Sequence, residues 1–354
     1  MLASYKEHLR TLEEILCNPE YSSVWQSSSI LCDTYKNCIQ RFEVDYDLAL
    51  KSLSYMTGRF DDVDFQTSKT QALMQEWNRE QGVFNIPALI AAAIDFLNIH
   101  DPEDIRAMFV AAILAEVPTG LPYHDVPHFR KVVLHSLRMI AAHQNIHADT
   151  RTALSKNAQV HLLLAACIHD LGHKGQGNLV DGQYDMARTE KRSFEFVKPY
   201  FTAVGLSDDA LSDIRVMLIG TDTTLCCNSV CPSQQVRSIY QYLYGDASEM
   251  DLTLISALST LSDRRDLTLL CMMLHEADIM SSAGIGYEQT LFETIAIGQE
   301  IGQDATPETI LAFIKDVCCY ELLTDSGRYL GQQNLDDIHV RVTRDFEAGN
   351  HSYS

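Results

Sequence analysis

With 354 residues the chain is long enough to bury a substantial core, as one large domain or two smaller ones. Its 46% hydrophobic and 8% aromatic content suits a soluble globular protein, whereas a formal net charge of −21 argues against DNA or RNA as partners, which need a basic face. No run reaches the roughly 18 apolar residues of a membrane span, and Met1–His8 lacks the charged-then-apolar pattern of a leader, so the expectation is a soluble, cytoplasmic chain without membrane insertion.

Residues 1–80 read as a helical but more polar segment. Leu12, Ile15 and Leu16 give it an apolar stripe, Ser22-Ser23 and Ser27-Ser28-Ser29 break it, and Asp61-Asp62-Val63-Asp64 reads as an acidic surface turn. The segment is either a regulatory cap or the first layer of a bundle, the second being preferred. Residues 81–345 form the expected main domain. Within it, Ile86–Leu97 is apolar almost throughout, as a buried helix is, and Asp101-Pro102-Glu103-Asp104 opens the next helix with a cap, a proline in the first turn and acids at the positive end of the dipole. Pro118–Pro122 breaks the chain before Tyr123-His124. Val160–Ile168 is an apolar run ending in His169-Asp170, and the following loop, Gly172 to Tyr184, carries four glycines. Met273–Met280 is apolar but for His275, Glu276 and Asp278, and Thr306-Pro307-Glu308 opens a late helix. The best β-like run, Asp337–Thr343, is short and terminal, and residues 346–354 read as a frayed tail. The fold class is therefore all-α, a compact multi-helix bundle. Ten cysteines are scattered without facing Cys-x-x-Cys pairs, which argues against a zinc ribbon. Cys167 and Cys271 read as small core residues, and the Cys226–Cys231 cluster as free thiols in a loop.

Three segments carry chemistry. His124 and His128 are one helical turn apart and can reach one cavity. His169 and Asp170 close an apolar helix, with His173 shortly after, and an imidazole beside a carboxylate is a ligand set that suits Zn, Mn, Fe or Mg. Asp278 lies in an apolar helix, where a carboxylate is expensive unless it is paired or binds a metal. Taken singly, each has a plain alternative: surface decoration, a helix cap, a local ion pair. Their order along the chain favours a joint metal site.

That order resembles the catalytic domain of the class I 3′,5′-cyclic nucleotide phosphodiesterases, within the HD superfamily of metal-dependent phosphohydrolases. Tyr123-His124-Asp125-x-x-His128 is similar to the family's Tyr-His-Asn-x-x-His. His169, Asp170, His173, Gly175 and Asn178 match its His-Asp-x-x-His-x-Gly-x-x-Asn core, Thr221-Asp222 its Thr-Asp step, His275-x-Ala277-Asp278 its late His-x-Ala-Asp, and Phe84-x-Ile86-Pro87 its opening. The resemblance spans about residues 84–282. It implies a dinuclear site in a central pocket, with His128, His169, Asp170 and Asp278 as ligands, Asp170 bridging, zinc at the tighter position and magnesium or manganese at the second. It further implies a bridging hydroxide as nucleophile, His124 as the acid that protonates the leaving 3′ oxygen, His173 as a holder of metal-bound water, and Glu190 as the acid orienting His124 or that water. Tyr123, Asn178, Thr221 and Asp222 fall at motif positions expected to face substrate.

The chain departs from the family at three places. Asp125 replaces the motif Asn, Ser281 stands where an Asn is usual, and no Gln with a Phe three residues later provides the purine clamp. Gln332 and Gln333 are the glutamines at about the right distance. The expected partner is a small cyclic nucleotide, cAMP or cGMP. Two alternatives stand beside it: an HD-type phosphohydrolase acting on another nucleotide or phosphoester, and a non-catalytic scaffold that binds a nucleotide or a protein. Export into another cell stays open.

Overall fold

The computed structural model describes all residues except 1, 23–25, 57–61, 149–152, 176, 225–229, 246, 248–252, 350 and 354. The chain starts with α1 (Leu2–Thr11), the short α2 (Glu13–Leu16) and α3 (Pro19–Ser22), and the long α4 (Ser28–Ser52). Ser27, within the serine-rich break, caps α4 by accepting from the Ile30 N–H. After a 3-10 turn (Ser54–Met56), α5 (Val63–Asn78) begins at an Asp62 side-chain cap; Asp61, the first residue of the acidic turn, lies outside the described residues. These helices share the core of the rest of the chain: Tyr5 and Tyr46 both donate to Asp95, and the Asn85 N–H donates to Asp45 at 3.1 Å.

α6 (Ile86–Leu97) and α7 (Pro102–Ala115) follow, started by the Asn85 and Asp101 side chains with proline in the first turn. α6 is apolar on nearly every side because it is packed on nearly every side. α8 (Val126–His147) runs through the middle, with residues 128–143 buried. α9 (Lys156–Ile168) packs against α7 and α8. A two-residue hairpin, β1 (Leu179–Val180) with β2 (Gln183–Tyr184), is the only sheet among the described residues. The all-α expectation holds.

α10 (Arg188–Ala203), α11 (Asp208–Ile219) and α12 (Pro232–Tyr244) close one side; a 3-10 segment (Ser256–Ser262) leads into α13 (Arg265–Ala283), which lies along α8 and α9. α14 (Tyr287–Ile301), α15 (Pro307–Asp316), the single turn α16 (Asp325–Gly327), a π-helical turn (Arg328–Gln332) and α17 (Gln333–Glu347) complete the chain. Among the described residues no helix is long and apolar enough to cross a membrane. Cys167 and Cys271 are fully buried core residues. Cys226 and Cys227 lie outside the described residues, and Cys231 is a buried residue just before α12.

Two local expectations are corrected. Asp337–Thr343 is helical, within α17: its buried residues Leu335, Ile338 and Val342 recur at three and four, a helix period that its β-branched residues obscure. Within the tail expected to be frayed, Tyr353 is held, because its N–H donates to the Ala305 carbonyl at 2.8 Å and its hydroxyl donates to Asp345 at 3.0 Å.

The end of α13 meets the π-helical turn through two glycines. A Cβ on Gly331 would stand 2.9 Å from Leu322 Cδ1 and 3.0 Å from the Gly284 Cα, so backbone itself would have to yield. Gly331→Ala is expected to destabilise the fold by about 1–3 kcal/mol, the usual cost of overpacking, read as a lower denaturation midpoint with an unchanged slope. Wild-type stability would show that this contact has slack.

Candidate metal centre

Asp125 caps α8: its Oδ1 accepts from the Val126 N–H at 2.8 Å and the Thr119 N–H at 2.9 Å. A carboxylate is favourable at a helix N-terminus, which gives the Asn-to-Asp departure a physical reason. The cap fixes the first turn of α8 and turns His128 inward. At the end of α9, His169 Nδ1 bonds to the Ala166 carbonyl at 3.1 Å, leaving Nε2 to face the same point. Asp170 follows, and α13 brings Asp278 from the other side.

These four side chains converge. His128 Nε2 lies 3.0 Å from His169 Nε2 and 3.3 Å from Asp278 Oδ1, and His169 Nε2 is 3.4 Å from both Asp278 Oδ1 and Asp170 Oδ2. Donors about 2.0–2.1 Å from one tetrahedral ion are about 3.4 Å from each other, so the residues fit a zinc-like cation. Their charges fit too. Burial alone would raise Asp278, yet His169 and His128 hold its carboxyl far below the usual range. Burial likewise opposes a charged His169, but Asp170 and Asp278 lift it to about 9, while burial keeps His128 below its ordinary value. Both carboxylates are held toward their ionised form by imidazoles at the same point, a donor set that favours a cation.

The cluster opens into a cavity of about 280 Å³. Tyr123, His124, Asn178, Thr221 and Asp222 all line it, with His173 and Glu190. His124 Nδ1 is 2.6 Å from Glu300 Oε1, and Glu300 Oε2 accepts from the His124 and Tyr123 N–H groups at 3.0 and 3.1 Å. Burial disfavours a protonated His124, but the Glu300 bond together with the Asp170 charge raises it overall; burial would raise Glu300, and His124 pulls it down to about 2. His173 stacks on His124 with ring centroids 3.8 Å apart, and burial with the neighbouring His124 lowers it to about 4.

Of the two roles expected of Glu190, orienting His124 is filled by Glu300 instead. Glu190 accepts both its bonds from Asn178 Nδ2, at 3.0 and 3.2 Å, and burial with the Asp222 and Asp170 charges pushes it well above its ordinary value. Asp222 organises the loop, accepting from the Tyr184 hydroxyl at 2.6 Å and the Ala187 N–H at 2.8 Å. Gln332 and Gln333 do not line the cavity: Gln332 is bonded to the Leu322 N–H, the Tyr320 carbonyl and Asp336, and Gln333 to Asp337. An apolar wall of Ile279, Ile297, Phe313 and Val317 stands instead. Nothing in the spacing of Glu300, Ile297 or Val317 marks them, and Phe313 reads in sequence as one more apolar residue of α15.

No protein-family model and no curated protein matches the chain. Among solved structures, the phosphodiesterase domain of the RhoPDE fusion protein from the choanoflagellate Salpingoeca rosetta is similar, the match covering 75% of this chain and 92% of that one at 14% identity and a TM-score of 0.50. The fold is phosphodiesterase-like. At that identity the likeness is one of architecture, and the chemistry rests on the residues.

Asp278→Ala is expected to lower bound metal measured by mass spectrometry, since three ligands hold a cation poorly. His275→Ala should retain it: neither His275 ring nitrogen has a hydrogen-bond partner among the described residues, and the ring lies outside the ligand group. Equal metal content in Asp278→Ala and wild type would remove Asp278 from the ligand set.

Proposed function

We propose that the protein is a metal-dependent phosphodiesterase that hydrolyses a 3′,5′-cyclic nucleotide to the 5′-monophosphate. The observation that carries this reading is the buried His128–His169–Asp170–Asp278 group directly beside a histidine–carboxylate pair in one cavity, on a phosphodiesterase-like fold. Two divalent ions, zinc at the tighter position and magnesium or manganese at the second, would supply Lewis-acid neutralisation of the phosphate and a more acidic water.

The chain's own contribution is positioning and proton transfer. Glu300 fixes the His124 ring through Nδ1, so Nε2 points toward Asp170, 3.7 Å away, where the phosphate would sit. Water attacks phosphorus, the P–O3′ bond breaks, and the His124 Nε2 proton goes to O3′. His173 stays neutral beside it, and Glu190, pushed toward its protonated form, orients Asn178 at the loop side. Ile279, Ile297, Phe313 and Val317 would receive the base, with Phe313 offering a ring for stacking.

A second reading, hydrolysis of another phosphoester, is favoured by one observation: the glutamines that would clamp a purine are bonded within their own segment. Turnover of a generic aryl phosphodiester without turnover of cAMP or cGMP would select it.

His124→Ala is expected to keep its metals and lose about 10²–10⁴-fold in rate on a cyclic nucleotide. With a nitrophenyl ester, whose leaving group hardly needs a proton, the loss should be far smaller. Equal losses on both substrates would remove His124 as the acid.

An apolar wall separates bases weakly, so cAMP and cGMP should differ by about tenfold or less in kcat/KM. Phe313→Ala should raise KM for both by about tenfold through lost stacking. Selectivity above a hundredfold would mean that a polar group absent from this wall reads the base.

A further inference from the structure

Every cysteine among the described residues is a free thiol. Cys38, Cys167, Cys271 and Cys318 lie in the core, where burial pushes each thiol up and keeps it unreactive. Cys17 and Cys32 differ, being only partly buried. Cys17 closes α2, its N–H donating to the Glu13 carbonyl at 2.9 Å, and Cys32 stands in the second turn of α4. α2 packs on α4 with Leu16 and Leu31 fully buried, and the Tyr35 hydroxyl donates to the Leu9 carbonyl at 3.1 Å, which pins the start of α4 to the end of α1. This packing brings the Cys17 and Cys32 thiols within hydrogen-bonding reach of each other. The exposed Lys36, one turn beyond Cys32 on α4, reaches the Cys32 sulfur. An ammonium beside a thiol favours the thiolate, the form that attacks oxidants and disulfides. Burial and the neighbouring Cys32 push Cys17 up to about 12, so it stays a thiol.

We propose that Cys17 and Cys32 form a reversible disulfide when the protein meets a peroxide, fastening α2 to α4. The Cys32 thiolate attacks one oxygen of hydrogen peroxide, the O–O bond breaks, and the departing hydroxide takes up the proton that Cys32 had released. Cys32 is then a sulfenic acid. The Cys17 sulfur attacks the Cys32 sulfur, the S–O bond breaks, and the hydroxyl leaves as water with the Cys17 proton. Two thiols are oxidised to one disulfide and one peroxide is reduced to two waters. A dithiol reverses the bond by exchange. The bond closes a loop of roughly 15 residues, a constraint that acts on the unfolded chain.

The test exposes the full chain to hydrogen peroxide under native conditions, alkylates the remaining thiols in denaturant and maps unreduced peptides by mass spectrometry. Wild type is expected to yield a linked Cys17–Cys32 peptide that dithiothreitol removes, at peroxide doses that leave Cys167 and Cys271 as thiols. The oxidised protein should unfold about 2–4 °C above the reduced one. Cys17→Ser should stop at a sulfenic acid on Cys32, trapped with dimedone. Lys36→Gln, a change at an exposed side chain, should slow the linkage about threefold or more. Peroxide that leaves both thiols alkylatable, or joins either to a different cysteine, would overturn the site. Sulfenic acid on Cys17 in Cys32→Ser, with none on Cys32 in Cys17→Ser, would overturn the assigned roles. A wild-type rate in Lys36→Gln would remove Lys36 as the activating group, and an unchanged unfolding temperature would remove the fastening.

Discussion

Asp170 and Asp278 are two carboxylates held at a point where three helices meet, and their charge governs how the molecule is built. Each is largely shielded from water, with 14% and 16% of its side chain exposed. An isolated ionised carboxylate in such surroundings is strongly unfavourable. The fold meets that cost with histidines on the facing helices, His128 from α8 and His169 from the end of α9, and with the opening for a cation. The long apolar faces of α8, α9 and α13 follow from the same need: donors a few Å apart stay so only if the helices that carry them cannot slide.

A second buried charge pair lies on the helices that hold His128 and Glu300. Lys131 of α8 and Glu293 of α14 lie 2.6 Å apart with 3% of each side chain exposed. Lys131 is one turn beyond His128, and Glu293 is two turns before Glu300 on the same helix, so the two carboxylates face the same way. Gln289, one turn earlier, also donates to Glu293. Such a pair contributes modestly to stability, since desolvation offsets most of its attraction, but breaking it leaves a buried charge alone. Its structural consequence is a tie between α14 and α8, on the same helix whose end brings Glu300 to His124.

What the sequence made legible follows from chemical rarity. His169, Asp170 and Asp278 interrupt apolar helices, where each is costly without a partner, so their residue types alone mark them. His124 and His128 share a helical spacing. Glu300 carries no such mark: in Gln299-Glu300-Ile301-Gly302 it looks like the polar end of a surface helix, and only the approach of α14 to the Tyr123-His124 segment shields its side chain. Gln332 and Gln333 misled because counting along the chain assumes regular helices. The π-helical turn at Arg328–Gln332 and the amide bonds of Gln332 within its own segment take both side chains away from the cavity. The α17 misreading has the same root, since β-branched residues in a short run resemble a strand until their burial at three and four is seen.

The overall charge of −21 is at odds with an anionic substrate only if charge is averaged over the surface. A phosphate feels the groups within a Debye length, about 8–10 Å, and there cations held by Asp170 and Asp278 would set the balance, beside a His124 that Glu300 and Asp170 raise against the effect of burial. The acidic remainder would do something else: raise the local concentration of divalent ions around a site that could hold them. Selectivity then divides in two. Under the proposed function the phosphate would be recognised by fixed charge and geometry, which tolerate little variation, while the base would meet Ile279, Ile297, Phe313 and Val317, which tolerate much. A buried polar group punishes a wrong base by being left unpaired, whereas an apolar wall exacts no such penalty. On this division the proposed enzyme would be specific for what it hydrolyses and permissive about what that bond is attached to.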